Sequence, residues 1–315
     1  MTDLTFFFIV EPPRFQLMAC YLAASIREAF GDQVGMVGYC PSHRITELDP
    51  DVIGVLARMG CPVQAMDTLG RFDPPYPHGN KMIATLQPRD TEYSCFLDSD
   101  ILFLRPNDPA RLIRAGHVSL TPAASMGWAA QDVWAQIYAT AGMPMPTERI
   151  RLMNQNRGKD RMPYFSSGLF AFPERHQNDE GLRFPEVWMQ VAAAIEADPN
   201  IPSKRPYLDQ MTLPLAIRKA GLDWNILPKE MHYILGGRKR GENLPQDREI
   251  FTVHYRNWDI VKEHGLVRQA KDMLQRQAGV RRIAQLRKLG DPAPKAPVDQ
   301  AIADLCTKPA LGKAS

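Results

Sequence analysis

With 315 residues, of which 44% are hydrophobic and 23% charged, the chain has an ordinary globular composition and the length to bury a sizeable core, as one large domain or two modest ones. A formal net charge of +3 is too small to imply a nucleic-acid partner, and no stretch reaches the ~18 apolar residues of a membrane span. Five scattered cysteines (Cys20, Cys40, Cys61, Cys95, Cys306) without a CxxC pair argue against a disulfide framework or a zinc site and fit a reducing cytoplasm.

Residues 4–10 read as a buried strand. Glu11-Pro12-Pro13-Arg14 ends it, and without a basic n-region or a long apolar region it is no signal peptide. A helix is expected over 16–30, stopped by Gly31. A strand over 34–39 follows. Next come a helix over 49–59, opened by Asp49-Pro50 and stopped by Gly60, and a short strand over 62–66. The Pro-, Tyr- and His-rich stretch 72–79 reads as a loop and 80–87 as a short helix. Repeated strand–helix units predict a parallel sheet with right-handed crossovers. Neither GxGxxG after the first strand nor GxxxxGK[ST] is present, so a dinucleotide fingerprint and a P-loop are excluded.

The segment 93–104 organises the chain. Cys95, Phe96 and Leu97 lead into Asp98-Ser99-Asp100, and a second apolar run follows until Arg105-Pro106-Asn107. Short bounded apolar runs read as buried strands. Unpaired carboxylates are costly to bury, so the pair is expected where the first of these strands ends, the edge at which α/β sheets bind ligands. In extended chain, residues i and i+2 face one side. Asp98 and Asp100 can thus converge on a hard cation such as Mg²⁺ or Mn²⁺. A polar turn between strands is the alternative.

Further on, 118–122 reads as a strand and 128–141 as a helix with Trp128, Val133, Ile137 and Tyr138 inward. The charged, Pro- and Gly-bearing stretch 143–161 has the length of a lid or binding loop. In 164–172, aromatic residues surround Ser166-Ser167-Gly168. A glycine in a strand marks close approach of a ligand or backbone, or a bulge. An amphipathic helix is expected over 184–197. Another ends at Lys219, and Pro214 puts its start within 209–212. The strand 249–255 carries His254, followed by Arg256-Asn257-Trp258. Helix is expected over 261–289, broken at Gly279. Its part 268–288 holds seven basic residues against one acid, Asp272. That pattern fits a solvated face, or contact with an anionic membrane surface or acidic acceptor. The Ala-, Pro- and Lys-rich stretch 291–315 reads as a disordered tail.

Four pieces occur in order: Phe96-Leu-Asp-Ser-Asp-Ile-Leu, Tyr164-Phe-Ser-Ser-Gly-Leu-Phe, Leu208-Asp-Gln and Thr252-Val-His-Tyr. Together they resemble the nucleotide-sugar glycosyltransferases of GT-A fold, above all glycosyltransferase family 8, the group of glycogenin and the bacterial galactosyltransferases. The resemblance spans 4–260. It implies an α/β fold with a Rossmann-like, mixed, mainly parallel sheet flanked by helices. The expected plan is a catalytic domain over 1–260, a basic helical extension over 261–290 and the tail beyond. It also implies transfer of a hexose from a nucleotide-diphosphate-sugar, UDP-hexose in the family, with retention. Asp98, Asp100 and His254 would hold Mn²⁺ or Mg²⁺ on the donor diphosphate. Asn80, Lys81 and Ser99 would lie along the donor, and Ser166, Ser167 and Gly168 along the sugar. Asp209 and Gln210 would stand beside the anomeric carbon as catalytic residues. Trp224-Asn225 resembles a recurring structural pair. The acceptor, whether glycan, lipid or protein, is not readable. The expected location is cytoplasmic, with peripheral contact at the inner membrane face through 268–288.

The chain departs from that family where Gly and Lys-Pro-Trp usually follow the histidine. Here Arg256 or Lys262 would be the cation on the diphosphate. Glu11-Pro12-Pro13 stands where small polar residues usually hold uracil. The chemistry accounts for the residue types. Breaking a sugar–phosphate bond puts negative charge on the leaving diphosphate, which a Lewis-acid cation neutralises and Lys81 and Arg256 reinforce. The sugar becomes oxocarbenium-like, and Gln210 or Asp209 can stabilise it from the opposite face.

Other readings stay open on sequence alone. Asp209 also fits a helix N-cap, His254 a core histidine, Lys81 a surface lysine, and Tyr164 and Trp258 core aromatics. A haloacid-dehalogenase-type phosphatase would use Asp98 as nucleophile and Asp100 as acid/base. That motif normally lies near the first strand, whereas three strands precede it here. The last alternative is a non-catalytic sugar-binding module.

Overall fold

The computed structural model describes residues 3–126, 131–153, 160–202, 204–205, 207–236 and 243–288. Trp128 and the expected tail 291–315 lie outside the described residues. The first half alternates as expected. Strands β1 (Leu4–Ile9), β2 (Gly35–Pro41), β3 (Val63–Met66) and β4 (Tyr93–Leu97) are separated by helices α1 (Phe15–Phe30), α2 (Pro50–Arg58) and α3 (Asn80–Leu86). These four strands pair in parallel.

The short β5 (Ile101–Phe103), β6 (His117–Pro122) and α4 (Gln131–Thr140) come next. After them β7 (Phe165–Pro173) enters antiparallel between β4 and β6, and β8 (Asp223–Ile226) pairs in parallel with β6. The seven-stranded order is β3-β2-β1-β4-β7-β6-β8. A second sheet of order β5-β10-β9 holds β9 (Tyr233–Ile234) and β10 (Thr252–His254). The remaining helices are α5 (Phe184–Ala197), α6 (Leu208–Lys219), α7 (Trp258–Glu263) and α8 (Val267–Ala278). Among the described residues no helix is long and apolar enough to cross a membrane.

Strand alternation sorts the core. Phe6 and Phe8 join the cluster under α1, α2 and α8, whereas Phe7 joins the one under α3, α5 and α6. Burial on both faces is why β1 reads as a continuous apolar run. Phe7 meets Phe96 edge-on at 5.3 Å, and Phe170 meets Trp188 at 5.3 Å. One buried charge cluster ties β4, β7 and α5 together. Glu174 accepts from Arg89 Nη2 at 3.1 Å, from Arg183 Nη1 at 3.0 Å and from the Ser94 hydroxyl.

Two expectations change. Helix α6 begins at Leu208, before the window 209–212, and keeps Pro214 inside it. A proline there removes the bond to the Gln210 carbonyl and costs about 3 kcal/mol. The full burial of Leu208, Met211, Leu213, Leu215 and Ile217 offsets that cost. The helix expected over 261–289 does stop at Gly279, but Gly265 splits it once more, into α7 and α8. Gly265 and Gly279 stand between and after them at φ 71° and 76°. α8 packs its buried Ala270, Met273, Leu274 and Ala278 into the protein and lies against α1. Strands β8 and β9 were not legible, being four and two residues long at sheet edges.

Candidate active site

Asp98-Ser99-Asp100 is the link between the two sheets. The Asp98 amide donates to the Gly168 carbonyl at 2.8 Å, continuing the β4–β7 ladder. The Tyr255 amide donates to the Asp100 carbonyl at 3.0 Å, next to the β5–β10 ladder. Ser99 Oγ donates to the Ile9 carbonyl at 2.5 Å, so Ser99 anchors the link to the end of β1. His254 closes β10 opposite Ile101. Its Nε2 lies 3.1 Å from Asp100 Oδ1 and 3.9 Å from Asp98 Oδ2. One ligand atom from each of the three residues falls within 4.8 Å of the others. Burial pushes the Asp100 carboxyl up, but the adjacent His254 imidazole outweighs it and brings it down to about 2. Burial likewise works against charge on His254, and the Asp100 carboxylate reverses this and raises it.

Lys81 enters from the first turn of α3. Its Nζ lies 2.9 Å from Asp98 Oδ1, 3.3 Å from Asp209 Oδ2 and 3.2 Å from Ser167 Oγ. It is buried, not a surface lysine. Burial alone would lower its pKa, yet Asp98 and Asp209 raise it, so it is an ammonium. Asp209 is no helix cap, since Tyr207 holds that position. Only 1% exposed, its carboxylate accepts from Ser167 Oγ at 2.6 Å and from the Tyr76 hydroxyl at 2.9 Å. Gln210 Oε1 accepts from the Tyr164 hydroxyl at 3.0 Å.

Gly168 has a steric reason. A Cβ there would stand 2.8 Å from Asp98 Oδ2, 3.1 Å from His232 Cε1 and 3.2 Å from His254 Cε1. The strand passes so close to the acid–histidine cluster that any side chain there would have to displace it.

Two cavities meet at this cluster. One of about 330 Å³ is lined by Ile9, Glu11, Phe15, Lys81, Asp98 and Asp100 among others. The other, of about 640 Å³, is lined by Ser125, Tyr164, Ser166, Tyr207, Ile234 and Arg256 among others. Gln210 and His254 line both. Of the two candidate diphosphate cations, exposed Arg256 lines the larger cavity, in a left-handed conformation at φ 60°. Lys262 lines neither and pairs with Asp259 at 2.8 Å. Asn80 donates to Glu11 Oε2 at 3.3 Å, and Glu11 also pairs with Arg44 at 2.9 Å. Asn225 donates to Ser119 Oγ at 3.0 Å, and Trp224 packs on Phe165, so that pair is structural.

Sequence reasoning missed His232, which is fully buried. Its Nε2 lies 3.1 Å from His254 Nδ1 and its Nδ1 3.1 Å from Thr121 Oγ1. Burial holds its pKa well below the usual imidazole value, so the ring is neutral. No motif spacing marks it. Tyr76, which holds Asp209, was missed as well, and Tyr164, read as a core aromatic, is buried and also holds Gln210.

The sequence matches the Rhodobacterales glycosyltransferase domain over residues 6–221. No curated protein matches the chain. Among solved structures, it resembles the galactosyltransferase LgtC in complex with donor and acceptor sugar analogs. The TM-score is 0.53 and the identity 12%, with 87% of this chain and 96% of that one covered. Mouse xyloside xylosyltransferase 1 in its apo form follows with a TM-score of 0.47 and 12% identity, over 81% of this chain and 97% of that one. The LgtC likeness bears on the fold, which is that of the GT-A glycosyltransferases, a mixed sheet between helices. On the family match, the chain belongs to the Rhodobacterales glycosyltransferase domain family and is a glycosyltransferase.

Proposed function

We propose that the enzyme transfers a hexose from a nucleotide-diphosphate donor, UDP-hexose by resemblance, with Mn²⁺ or Mg²⁺ held by Asp98, Asp100 and His254. The convergence of these three side chains where two cavities meet carries the reading. The donor set fits the ion: two carboxylates and an imidazole, without thiolates, suit a hard or borderline divalent cation. Lys81 engages Asp98 through Oδ1, which leaves Oδ2 on the His254 side. The bound cation would supply Lewis-acid charge for the departing diphosphate.

The chain's own residues do the rest. Lys81 is a fixed positive charge beside the cluster, and Arg256 adds a second from the larger cavity. Ser166, Ser167 and Gly168 form the strand wall along the sugar. Asp209, held by three donors, orients Lys81 and is poorly suited to attack carbon. Gln210 lines both cavities, which supports its role beside the anomeric carbon. A saturated Asp209 favours retention by same-face attack over a covalent carboxylate intermediate. Asn80 and Glu11 bound the donor side where β1 ends, and the acceptor enters through the cavity of about 640 Å³. Residues 1–260 form the catalytic unit, on which the extension from 261 is packed. Arg276 pairs with Glu28, and Arg268 and Arg281 pair with Asp272, which favours a solvated face for 268–288 over membrane contact.

A thermal-shift panel of nucleotide sugars with and without Mn²⁺ tests the reading. Stabilisation by one nucleotide sugar that needs the cation and disappears in Asp100→Asn is expected. Equal stabilisation in EDTA would remove the metal from the reading. No response to any nucleotide sugar would favour a non-catalytic module. Membership of a glycosyltransferase family argues against the phosphatase reading of Asp98.

A further inference from the structure

A metal-binding imidazole needs a lone pair on the nitrogen that faces the cation. In His254 that nitrogen is Nε2, which faces both carboxylates. The proton must then sit on Nδ1 and needs an acceptor, usually a carboxylate, a backbone carbonyl or water. Here His232 Nε2 stands at 3.1 Å from that nitrogen. An imidazole that accepts at Nε2 carries its own proton on Nδ1, and Thr121 Oγ1 receives it at 3.1 Å. The two rings lie nearly parallel, with planes 13° apart and centroids 5.1 Å apart, as rings joined edge to edge through their nitrogens do, with Gly168 against both Cε1 atoms. Thr121 is as fully buried as His232.

We propose that His232, backed by Thr121, is a positioning residue that holds His254 in the Nδ1–H tautomer and ring orientation needed to bind a divalent cation through Nε2. The inference rests on the reading of Asp98, Asp100 and His254 as metal ligands. An imidazole in this place, where a carboxylate is a common partner, orients the ligand without adding a fourth negative charge beside Asp98, Asp100 and Asp209. Packing alone does not explain it: an apolar residue would fill the same space without aligning two nitrogen contacts.

The test measures Mn²⁺ affinity from the free-ion paramagnetic resonance signal, beside a melting curve, for the full chain and for His232→Leu, His232→Gln and Thr121→Val. Removing such a partner typically costs about 10–100-fold in metal affinity, and that loss is expected for His232→Leu. His232→Gln keeps an acceptor and a donor on one side chain and should recover most of the affinity. Thr121→Val should weaken binding by less than His232→Leu. A folded His232→Leu with wild-type affinity overturns the proposal. So does a folded His232→Gln that binds as poorly as His232→Leu. If His232→Leu does not fold, unchanged affinity in Thr121→Val overturns it. A folded wild type that binds no Mn²⁺ removes the underlying metal reading, and the proposal falls with it.

Discussion

Replacing Lys81 by Met should move stability and metal affinity in opposite directions. The ammonium is buried between Asp98 at 2.9 Å and Asp209 at 3.3 Å. Removing one partner of a buried ion pair costs ~3–5 kcal/mol, because the other charge is left behind. Asp209 keeps the hydroxyls of Ser167 and Tyr76, and Asp98 opens onto the smaller cavity, so the lower end applies, about 3 kcal/mol. At roughly 2 °C per kcal/mol for a large domain, the melting temperature should fall by about 6 °C. Without its cationic neighbour, Asp98 should attract Mn²⁺ about tenfold more strongly, the size of effect that one charge at this range has on a carboxylate. Turnover should fall by about 100-fold, because the fixed charge proposed to face the leaving group is lost. Melting curves in EDTA, Mn²⁺ titration and donor hydrolysis read the three quantities. A variant that melts like the wild type, or that binds Mn²⁺ more weakly, refutes the reasoning.

Gln210→Ala should lower turnover with little change in donor affinity, since its proposed contact forms in the transition state; steady-state kinetics with wild-type kcat would remove Gln210 from the anomeric carbon. Asp209→Asn should lose both turnover and stability, because the charge facing Lys81 disappears; an unchanged melting curve would show the pairing to be unimportant. Gly168→Ala should fold yet bind Mn²⁺ poorly, because its Cβ would press Asp98 Oδ2 from 2.8 Å, and titration at equal folded fraction checks this. For pH, the Asp100 carboxyl sits at about 2 in the folded protein, below its ordinary 3.8. Its contribution is therefore present above pH 3.8 and lost as pH falls through about 2, up to about 2 kcal/mol in metal-free protein. Acid unfolding of wild type against Asp100→Asn in EDTA should converge at the acid end, and parallel curves would refute it.

The alternation of β1 to β4 with α1 to α3 was legible because each strand is a bounded apolar run and each helix has a start or stop residue. Asp98 and Asp100 were legible because two carboxylates interrupt such runs, and His254 because it closes another. Lys81 was ambiguous: nothing local distinguishes a lysine that reaches solvent from one drawn inward by two carboxylates. Asp209 fitted a cap by position, and the start of α6 at Leu208 together with its contacts with Ser167 and with Tyr76, 133 residues away, decides otherwise. His232 left no trace, because its partners Thr121 and His254 are 111 and 22 residues away and the flanking strand has two residues. Pro214 misplaced the start of α6 because burial overrode a local penalty.

The Asp98-Ser99-Asp100 link would give the proposed donor binding a mechanical side. Asp98 is fastened to the large sheet through Gly168, whereas Asp100 and His254 belong to the small one. On the proposed metal reading, an ion held by all three would act as a rivet between two plates. The small plate also carries Ile234 and leads into Arg256, part of the wall of the larger cavity. If the proposed donor and cation bind there, they would stiffen the chamber next door, and by reciprocity a ligand in that chamber would tighten the rivet.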